Sequence, residues 1–320
     1  MSEQSIISAL KKYKSFAVTM HVNPDPDALA SAITMALFLK ARGKKVRIFN
    51  QDECPSWLSF VPRSALCEKF NDAIAFKPEV VIIMDCGELS RIGTVARLVM
   101  PGVKVINIDH HVTSKRFGDW NLVQTGYSST SEILYQLLKK AGCRFTKDMA
   151  VLLYLGILTD TGSFGYDCTG PHTHETIAEL LRFNFSVSDL YRQVYETLPR
   201  HDLKAFLKLA GKIELFFDDR VAALVLSKKT VARFSGEFDL KDKVFNFLRS
   251  VKGLEVIVII AEQERAKTRL NFRSRGAFDV AELASTFGGG GHKKASGGMY
   301  NGDMKKAKAG ILAEIRKRLS

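Results

Sequence analysis

Little in this chain suggests a fold held by crosslinks, repeats or lipid. Cysteine is sparse, with 5 among 320 residues, at positions 54, 67, 86, 143 and 168. Their number is odd, no two have C-x-x-C spacing, and none sits in a Cys/His cluster. This argues against a disulfide framework or a structural zinc site and fits a reducing compartment. Cys86 follows an apolar run and reads as a small core residue. Long hydrophobic runs are also missing: stretches such as "LEVIVIIA" are too short to span a bilayer. The opening "MSEQSIISALKKYKS" has no basic segment followed by an apolar one, so no signal peptide is expected and a cytoplasmic location is. No GxGxxG lies between the first strand and the first long helix, which disfavours a dinucleotide-binding oxidoreductase. There is no internal repeat and no low-complexity segment.

What remains describes a soluble globular protein. Hydrophobic residues make up 46% and charged residues 25%, and the length accommodates two domains. Lys and Arg number 47 against 34 Asp and Glu, a formal charge of +13. Such a surplus favours anionic partners such as nucleotides, nucleic acid or acidic membrane, although charge alone is a weak signal.

Periodicity predicts an α/β protein. "SFAVTMHV", "KKVRIFN", "EVVIIMDCG" and "VKVINIDHH" read as buried strands. "DALASAITMALFLKARG", capped near Asp27 and stopped by Gly43, reads as a helix, as do "STSEILYQLLKKAG" and "TKDMAVLLYLGILTD". Continuously apolar strands separated by helices predict a mostly parallel sheet covered on both faces. Residues 1–190 are expected to form this larger domain, 191–210 a linker, and 211–320 a smaller α/β domain, with an active-site cleft between the two. In the second domain "RVAALVLS", "LEVIVIIAEQE" and "TRLNFRSR" are expected strands. "DKVFNFLRSV", "DVAELASTF" and "MKKAKAGILAEIRKRL" are expected helices, and a strand and helix close the domain after "GGGGHKKASGG".

The apolar strands end in chemistry. In open α/β sheets ligands bind beyond the carboxyl ends of the strands. The first strand ends at His21, with Asp25 and Asp27 just beyond it in "HVNPDPDALAS". The third ends at Asp85, the fourth at Asp109-His110-His111, and Asp160 follows the apolar helix that contains "GILTDTGSF". Each has a plainer reading. Asn-Pro-Asp-Pro-Asp is also turn and cap chemistry, Asp85 a loop carboxylate, and His110 and His111 surface imidazoles. Jointly those readings require chance to place acids and histidines after every such run. One nitrogen and two carboxylates, as His21, Asp25 and Asp27 offer, suit divalent ions of intermediate hardness. "SSTSE", residues 128–132, reads as a helix cap and capping box.

"VINI" before Asp109-His110-His111, with "HVNPDPDA" upstream, "IIMDCG" between and "GILTDTGSF" downstream, resembles the DHH phosphoesterase superfamily. "FRSRG" and "GGGGHKKASGG" resemble its DHH-associated substrate-binding domain, so the resemblance covers nearly the whole chain. The subgroup it is most similar to is the two-domain nanoRNase and pAp-phosphatase type. Pro26 and Ala30 stand where many members have glycine. The resemblance implies two divalent metal ions, with Mn²⁺ the leading candidate. His21 and Asp25 would hold one, Asp27, His110 and Asp160 the other, and Asp85 would bridge them. It implies that Asp109 orients an imidazole and that His111 contacts the scissile phosphate as a catalytic group. Arg273, Arg275, Gly289, Gly290, Gly291 and His292 would bind substrate. Glycines let backbone N–H groups approach a phosphate closely, and arginine offers a bidentate fork.

The implied activity is hydrolysis of short oligoribonucleotides to mononucleotides, or of 3′-phosphoadenosine 5′-phosphate to AMP. A cyclic or linear dinucleotide phosphodiesterase is the enzymatic alternative. A non-catalytic nucleotide-binding sensor is the alternative of another class. Short RNA or a small phosphorylated nucleotide is the expected partner, a membrane is not, and a homodimer stays open.

Overall fold

The computed structural model describes residues 3–263 and 267–319. The chain divides into two compact units, Met1–Val194 and Tyr195–Ser320. The first contains α1 (Glu3–Lys12), β1 (Ser15–Met20), α2 (Pro26–Lys40), β2 (Lys45–Asn50), β3 (Cys67–Lys69), β4 (Val80–Met84), β5 (Lys104–Asp109), β6 (Trp120–Val123), α3 (Thr130–Lys140), α4 (Lys147–Asp160), α5 (Pro171–Leu181) and α6 (Val187–Tyr195). Its sheet has the order β3-β2-β1-β4-β5-β6, and every pairing is parallel. β4 is buried along its whole length, as expected for a strand covered on both faces. The edge strands β3 and β6 have no counterpart in the sequence reading, because three- and four-residue strands carry too little periodicity to stand out.

Chain order in this sheet runs outward from β1 to β2 and β3, then returns to the other side of β1 for β4, β5 and β6. The reversal leaves a crevice at the carboxyl ends of β1 and β4, the place where open α/β sheets bind ligands. Met20, Met84 and Ile108 are in register across β1, β4 and β5. The residues that follow them, His21, Asp85 and Asp109, therefore leave the sheet at one level.

The long helix after β1 is capped by Asp25 rather than near Asp27. The Asp25 side chain accepts the Ala28 N–H at 2.9 Å, and Pro26 takes the first helical position, where no N–H is needed. Asp27, one residue further, is fully buried. Helices α2 and α4 are apolar around almost their whole circumference and are accordingly buried. Gly156, inside α4, allows α4 to lie against the site: a Cβ there would meet Ser131 Oγ at 2.1 Å and Asp27 Oδ1 at 2.4 Å.

The second unit contains α7 (Leu203–Ala210), β7 (Glu214–Phe216), β8 (Val221–Leu226), α8 (Lys228–Val231), α9 (Leu240–Arg249), β9 (Val256–Glu262), β10 (Lys267–Ser274), α10 (Val280–Ser285), β11 (Gly290–His292), β12 (Ala295–Asn301) and α11 (Met304–Arg318). Glu264, the last residue of the expected "LEVIVIIAEQE" strand, lies outside the described residues. The sheet order is β11-β12-β10-β9-β8-β7, with β8–β9 parallel and the other pairings antiparallel. One face packs against α7 and α9 and the other against α10 and α11. Residues 191–210, expected as a linker, carry the end of α6, a 3-10 turn at Arg200–Asp202 and α7. They are ordered because Phe206 and Leu209 join the second unit's core and Asp202 accepts from the backbone and hydroxyl of Ser235. Among the described residues no helix is long and apolar enough to cross a membrane.

Glycine in a helix interior ordinarily costs roughly 0.5–1 kcal/mol relative to alanine. At Gly156 the sign should reverse, because Asp27 and Ser131 are buried and cannot give way. Gly156→Ala is expected to destabilise the first unit by about 1–3 kcal/mol, the usual range for overpacking. Equilibrium urea unfolding checks this, and a variant as stable as the parent would refute the close approach.

Candidate metal centre

Five elements converge on the crevice, β1, β4, β5, α2 and α4. Strand ends supply His21, Asp85, Asp109, His110 and His111. The start of α2 supplies Asp25 and Asp27, and the last residue of α4 supplies Asp160. Among the described residues, potential ligand atoms gather in a group of His21, Asp25 and Asp85, a second of Asp27, His110 and Asp160, and a third of Asp85, Asp109 and His111. His21 Nε2 lies 3.7 Å from Asp25 Oδ2 and 3.6 Å from Asp85 Oδ2. His110 Nε2 lies 3.5 Å from Asp85 Oδ1 and 3.0 Å from Asp160 Oδ2. Asp85 thus turns one oxygen toward each of two donor groups.

Local structure explains how these side chains are held. The His21 carbonyl accepts from the Asn50 amide at 3.0 Å. Asn107 donates to the Cys86 carbonyl at 3.0 Å, fixing the loop that follows Asp85. Asp85 itself has φ +54°, a left-handed conformation that costs a non-glycine residue roughly 1–2 kcal/mol. Strain of this kind clusters at functional sites. Asp160 stands at the carbonyl end of α4, where the helix dipole disfavours an anion.

The donors fit a divalent cation. The His21 Nδ1 lies 2.9 Å from the Val22 carbonyl, which can only accept, so Nδ1 keeps its proton and Nε2, facing the carboxylates, is the nitrogen open to exchange a proton for a cation. Asp160 Oδ2 is buried and pairs with His110 Nε2 at 3.0 Å, so the two donors stand side by side. No cysteine is among the donors, which suits a hard or intermediate ion bound by imidazole and carboxylate.

Electrostatics in the metal-free protein tell the same story. Burial opposes the charged form of His21, but Asp25 and Asp85 outweigh it and carry its pKa up to about 10. Burial likewise opposes charge on His110, and Asp160, Asp85 and Asp27 carry it up to about 10. Burial, with Asp160 and Asp85 nearby, pushes Asp27 well above the usual carboxylate range. Asp85 falls well below that range despite its burial, because His21, His111 and His110 surround it.

His111 belongs to a different pairing. Its Nδ1 lies 2.6 Å from Asp109 Oδ1, and the same oxygen accepts the His111 backbone N–H at 3.2 Å. Despite burial, His111 holds the Asp109 carboxyl below its usual range. Asp109 therefore orients His111, the imidazole two residues on, while His110 turns toward Asp160.

In the second unit, Arg273 and His292 are both in register with Ala295, Arg273 on β10 and His292 on β11. Directly opposed residues share a face, so both side chains project from one side of the sheet. Arg273 lies over the Phe245 ring at 4.6 Å and donates to its neighbour's carbonyl at 3.1 Å. Arg275 lies beyond β10, and its guanidinium donates to the Arg249 carbonyl at the end of α9, so it does not extend the Arg273 row as strand alternation suggests. The glycines have structural duties as well. A Cβ at Gly289 would meet the Gly297 carbonyl oxygen at 2.0 Å, and Gly291 has φ +141° with Ala295 O at 2.6 Å from its would-be Cβ. Gly290 faces open space.

Residues 15–157 match the DHH family, N-terminal domain, and residues 221–320 match the DHHA1 domain. A Bacillus subtilis protein described as bifunctional oligoribonuclease and PAP phosphatase NrnA is 30% identical over 296 residues, 91% of each chain. The chain belongs to the DHH family. A Thermus thermophilus relative with the same description is 29% identical over 306 residues, covering 95% of this chain and 90% of that one. Among solved structures, an exopolyphosphatase-related protein from Bacteroides fragilis has a TM-score of 0.85 at 26% identity, over 99% of this chain and 95% of that one. RecJ from Thermus thermophilus, solved in complex with Mn²⁺, shares the fold with a TM-score of 0.56 at 15% identity, over 99% of this chain and 55% of that one.

In this DHH-family chain the sequence reading missed the supports of the site. Asn50, Asn107, Thr130 and Glu132 are buried polar residues in or beside apolar runs. That pattern was the available signal, since a buried polar side chain must find a partner.

Coordination requires neutral imidazoles, so a cation entering this site must displace the protons held by His21 and His110. At pH 7, below their pKa of about 10, binding is expected to release protons. Apparent affinity should rise with pH toward that value and fall in acid. Calorimetric Mn²⁺ titrations in buffers of different ionisation enthalpy measure the release, and heats independent of buffer would contradict it.

Proposed function

We propose that this protein is a divalent-metal-dependent phosphoesterase that hydrolyses short oligoribonucleotides to mononucleotides and 3′-phosphoadenosine 5′-phosphate to AMP. The observation that carries this reading is Asp85, whose two oxygens face two separate His/Asp donor groups. His21 and Asp25 would hold one ion, Asp27, His110 and Asp160 the other, with Asp85 common to both. Mn²⁺ is the ion we name first, for a donor set that mixes imidazole with carboxylate. Ions held there would supply Lewis-acid charge at a phosphoryl group and a more acidic water. The two curated relatives described as oligoribonuclease and PAP phosphatase support the substrate class.

The chain's own groups divide the remaining work. His111 has its Nδ1 committed to Asp109, so Nε2 is the nitrogen that meets the scissile phosphate and hands a proton to the leaving oxygen. Asp109 keeps that ring in one orientation. Arg273, flattened on Phe245, presents a preformed guanidinium to a substrate phosphate, with His292 on the same face. Gly290 leaves its backbone open to approach. A non-catalytic sensor is the weaker reading, because every donor position expected of a metal centre is filled.

Asp85→Asn should remove a charge needed by both donor groups and abolish most turnover while leaving the fold intact. Metal content, circular dichroism and hydrolysis of a dinucleotide by the purified variant check this, and full activity would sink the reading.

Substrate length follows from the second unit. The row from His292 to Arg273 crosses two strand spacings, about 10 Å, which suits one or two nucleotides. An extended single strand needs a longer track of basic and aromatic groups. Dinucleotides and chains of a few residues should therefore turn over faster than long RNA at fixed moderate salt. A labelled RNA length series, with 3′-phosphoadenosine 5′-phosphate and cyclic and linear dinucleotides alongside, decides the point. Processive degradation of long strands would favour a general exonuclease, and exclusive cleavage of a cyclic dinucleotide the signalling alternative.

A further inference from the structure

The turn that opens α3 does more than cap a helix. Ser129 is the cap, its hydroxyl accepting the Glu132 N–H at 3.0 Å. The next two N–H groups, of Thr130 and Ser131, are donated to the two oxygens of Asp27 at 2.9 and 3.0 Å. Asp27 thus accepts two N–H groups at the positive end of α3. The Thr130 hydroxyl crosses to Asp85 and donates to Oδ1 at 2.8 Å. One turn of helix therefore grips two carboxylates that belong to different donor groups.

Glu132 holds that turn from behind. In an ordinary capping box it would reach back to the cap's own N–H. Here its Oε2 accepts the Ser128 N–H at 3.0 Å, the Ser128 hydroxyl at 2.5 Å and the Thr173 hydroxyl at 3.1 Å, and Oε1 lies 3.0 Å from His172 Nδ1. Glu132 is completely buried, so breaking these contacts would leave an unpaired charge in the interior. The network ties the start of α3 to α5 and leaves the turn little freedom to shift.

We propose that Thr130 is a positioning residue of the metal centre, setting the rotation of the Asp85 carboxylate, and that Glu132 locks Thr130 in place. The inference rests on reading this site as a two-metal centre. Asp85 is the shared carboxylate, flanked by the imidazoles of His21, His110 and His111 and hydrogen-bonded by the Thr130 hydroxyl. A hydroxyl on Oδ1 consumes one lone pair, stops rotation about the Cβ–Cγ bond, and keeps Oδ1 toward His110 and Oδ2 toward His21. Without it Oδ1 loses its hydrogen bond, the carboxylate turns more readily, and the link between the two donor groups weakens.

The test compares Thr130→Val, which keeps the shape and removes the hydroxyl, with Thr130→Ser, which keeps the hydroxyl, each in the full chain. Mn²⁺ binding is read by electron paramagnetic resonance, both as the number and affinity of bound ions and as the signal of a spin-coupled pair. Thr130→Val is expected to weaken Mn²⁺ binding roughly 10–100-fold at one ion or both, as loss of a supporting hydrogen bond typically does, and to diminish the coupled signal. Its KM for a dinucleotide should stay near the parent value while kcat falls. Thr130→Ser should restore affinity, coupling and kcat. Should the valine variant fail to fold, Thr130→Ala provides the same reading. Two ions bound by Thr130→Val with parental affinity and coupling would overturn the inference while leaving the two-metal centre standing. A parent protein that itself binds a single ion and shows no coupled pair would instead bring down the two-metal reading, and this inference with it.

Discussion

Like charges crowded into a dry volume are the constraint to which the rest of the first unit answers. Asp27 and Asp85 are almost wholly inaccessible to solvent, and Asp25 and Asp160 stand close by. Burying an ionised carboxylate without compensation costs far more than a protein's net stability. Compensation comes in layers. The backbone N–H groups of α3 take Asp27, the Thr130 hydroxyl takes part of Asp85, and the imidazoles of His21 and His110, drawn toward their charged form, lie against the carboxylates. Divalent cations would balance them outright, which is why the arrangement makes chemical sense as a metal centre and none as a packing motif.

That constraint reaches into the architecture. A parallel sheet with a reversal at β1 and β4 brings the ends of neighbouring strands to one level, so the carboxylates arrive from rigid elements rather than mobile loops. Helix α4 must come near enough to deliver Asp160, and Gly156 permits the approach by offering no side chain to Asp27 and Ser131. Asp160 accepts an unfavourable place on the helix dipole, and Asp85 an unfavourable backbone. Neither feature improves folding. Both place an oxygen where the donor groups need one.

The second unit follows a different logic. Its sheet is largely antiparallel, and Arg273 and His292 project from β10 and β11 on the face that carries α9. Its glycine run is a requirement of the hairpin, because Gly289 and Gly291 approach the backbone of β12 too closely for any side chain. Arg273 is presented by its stacking on Phe245, while Arg275 is drawn away to a helix end. A pair of arginines two residues apart thus has two separate fates.

The amino-acid sequence by itself determined the class of fold, the parallel sheet and the metal-ligand candidates. Continuously apolar runs ending in acid and histidine carry that information locally, and strand ends are where open sheets expose chemistry. Short edge strands escaped because three or four residues have no readable period. Only the tertiary structure decided which acid caps α2, Asp25 rather than Asp27, because the choice depends on which carboxylate the start of α3 claims. Only it decided that Asp109 serves His111 and that Arg275 serves a helix terminus. Above all, it turned "SSTSE" from a helix cap into a grip on two carboxylates lying more than 40 residues away along the chain. A hydrogen bond between distant residues leaves no period or spacing behind, so no reading of neighbours along the chain can anticipate it.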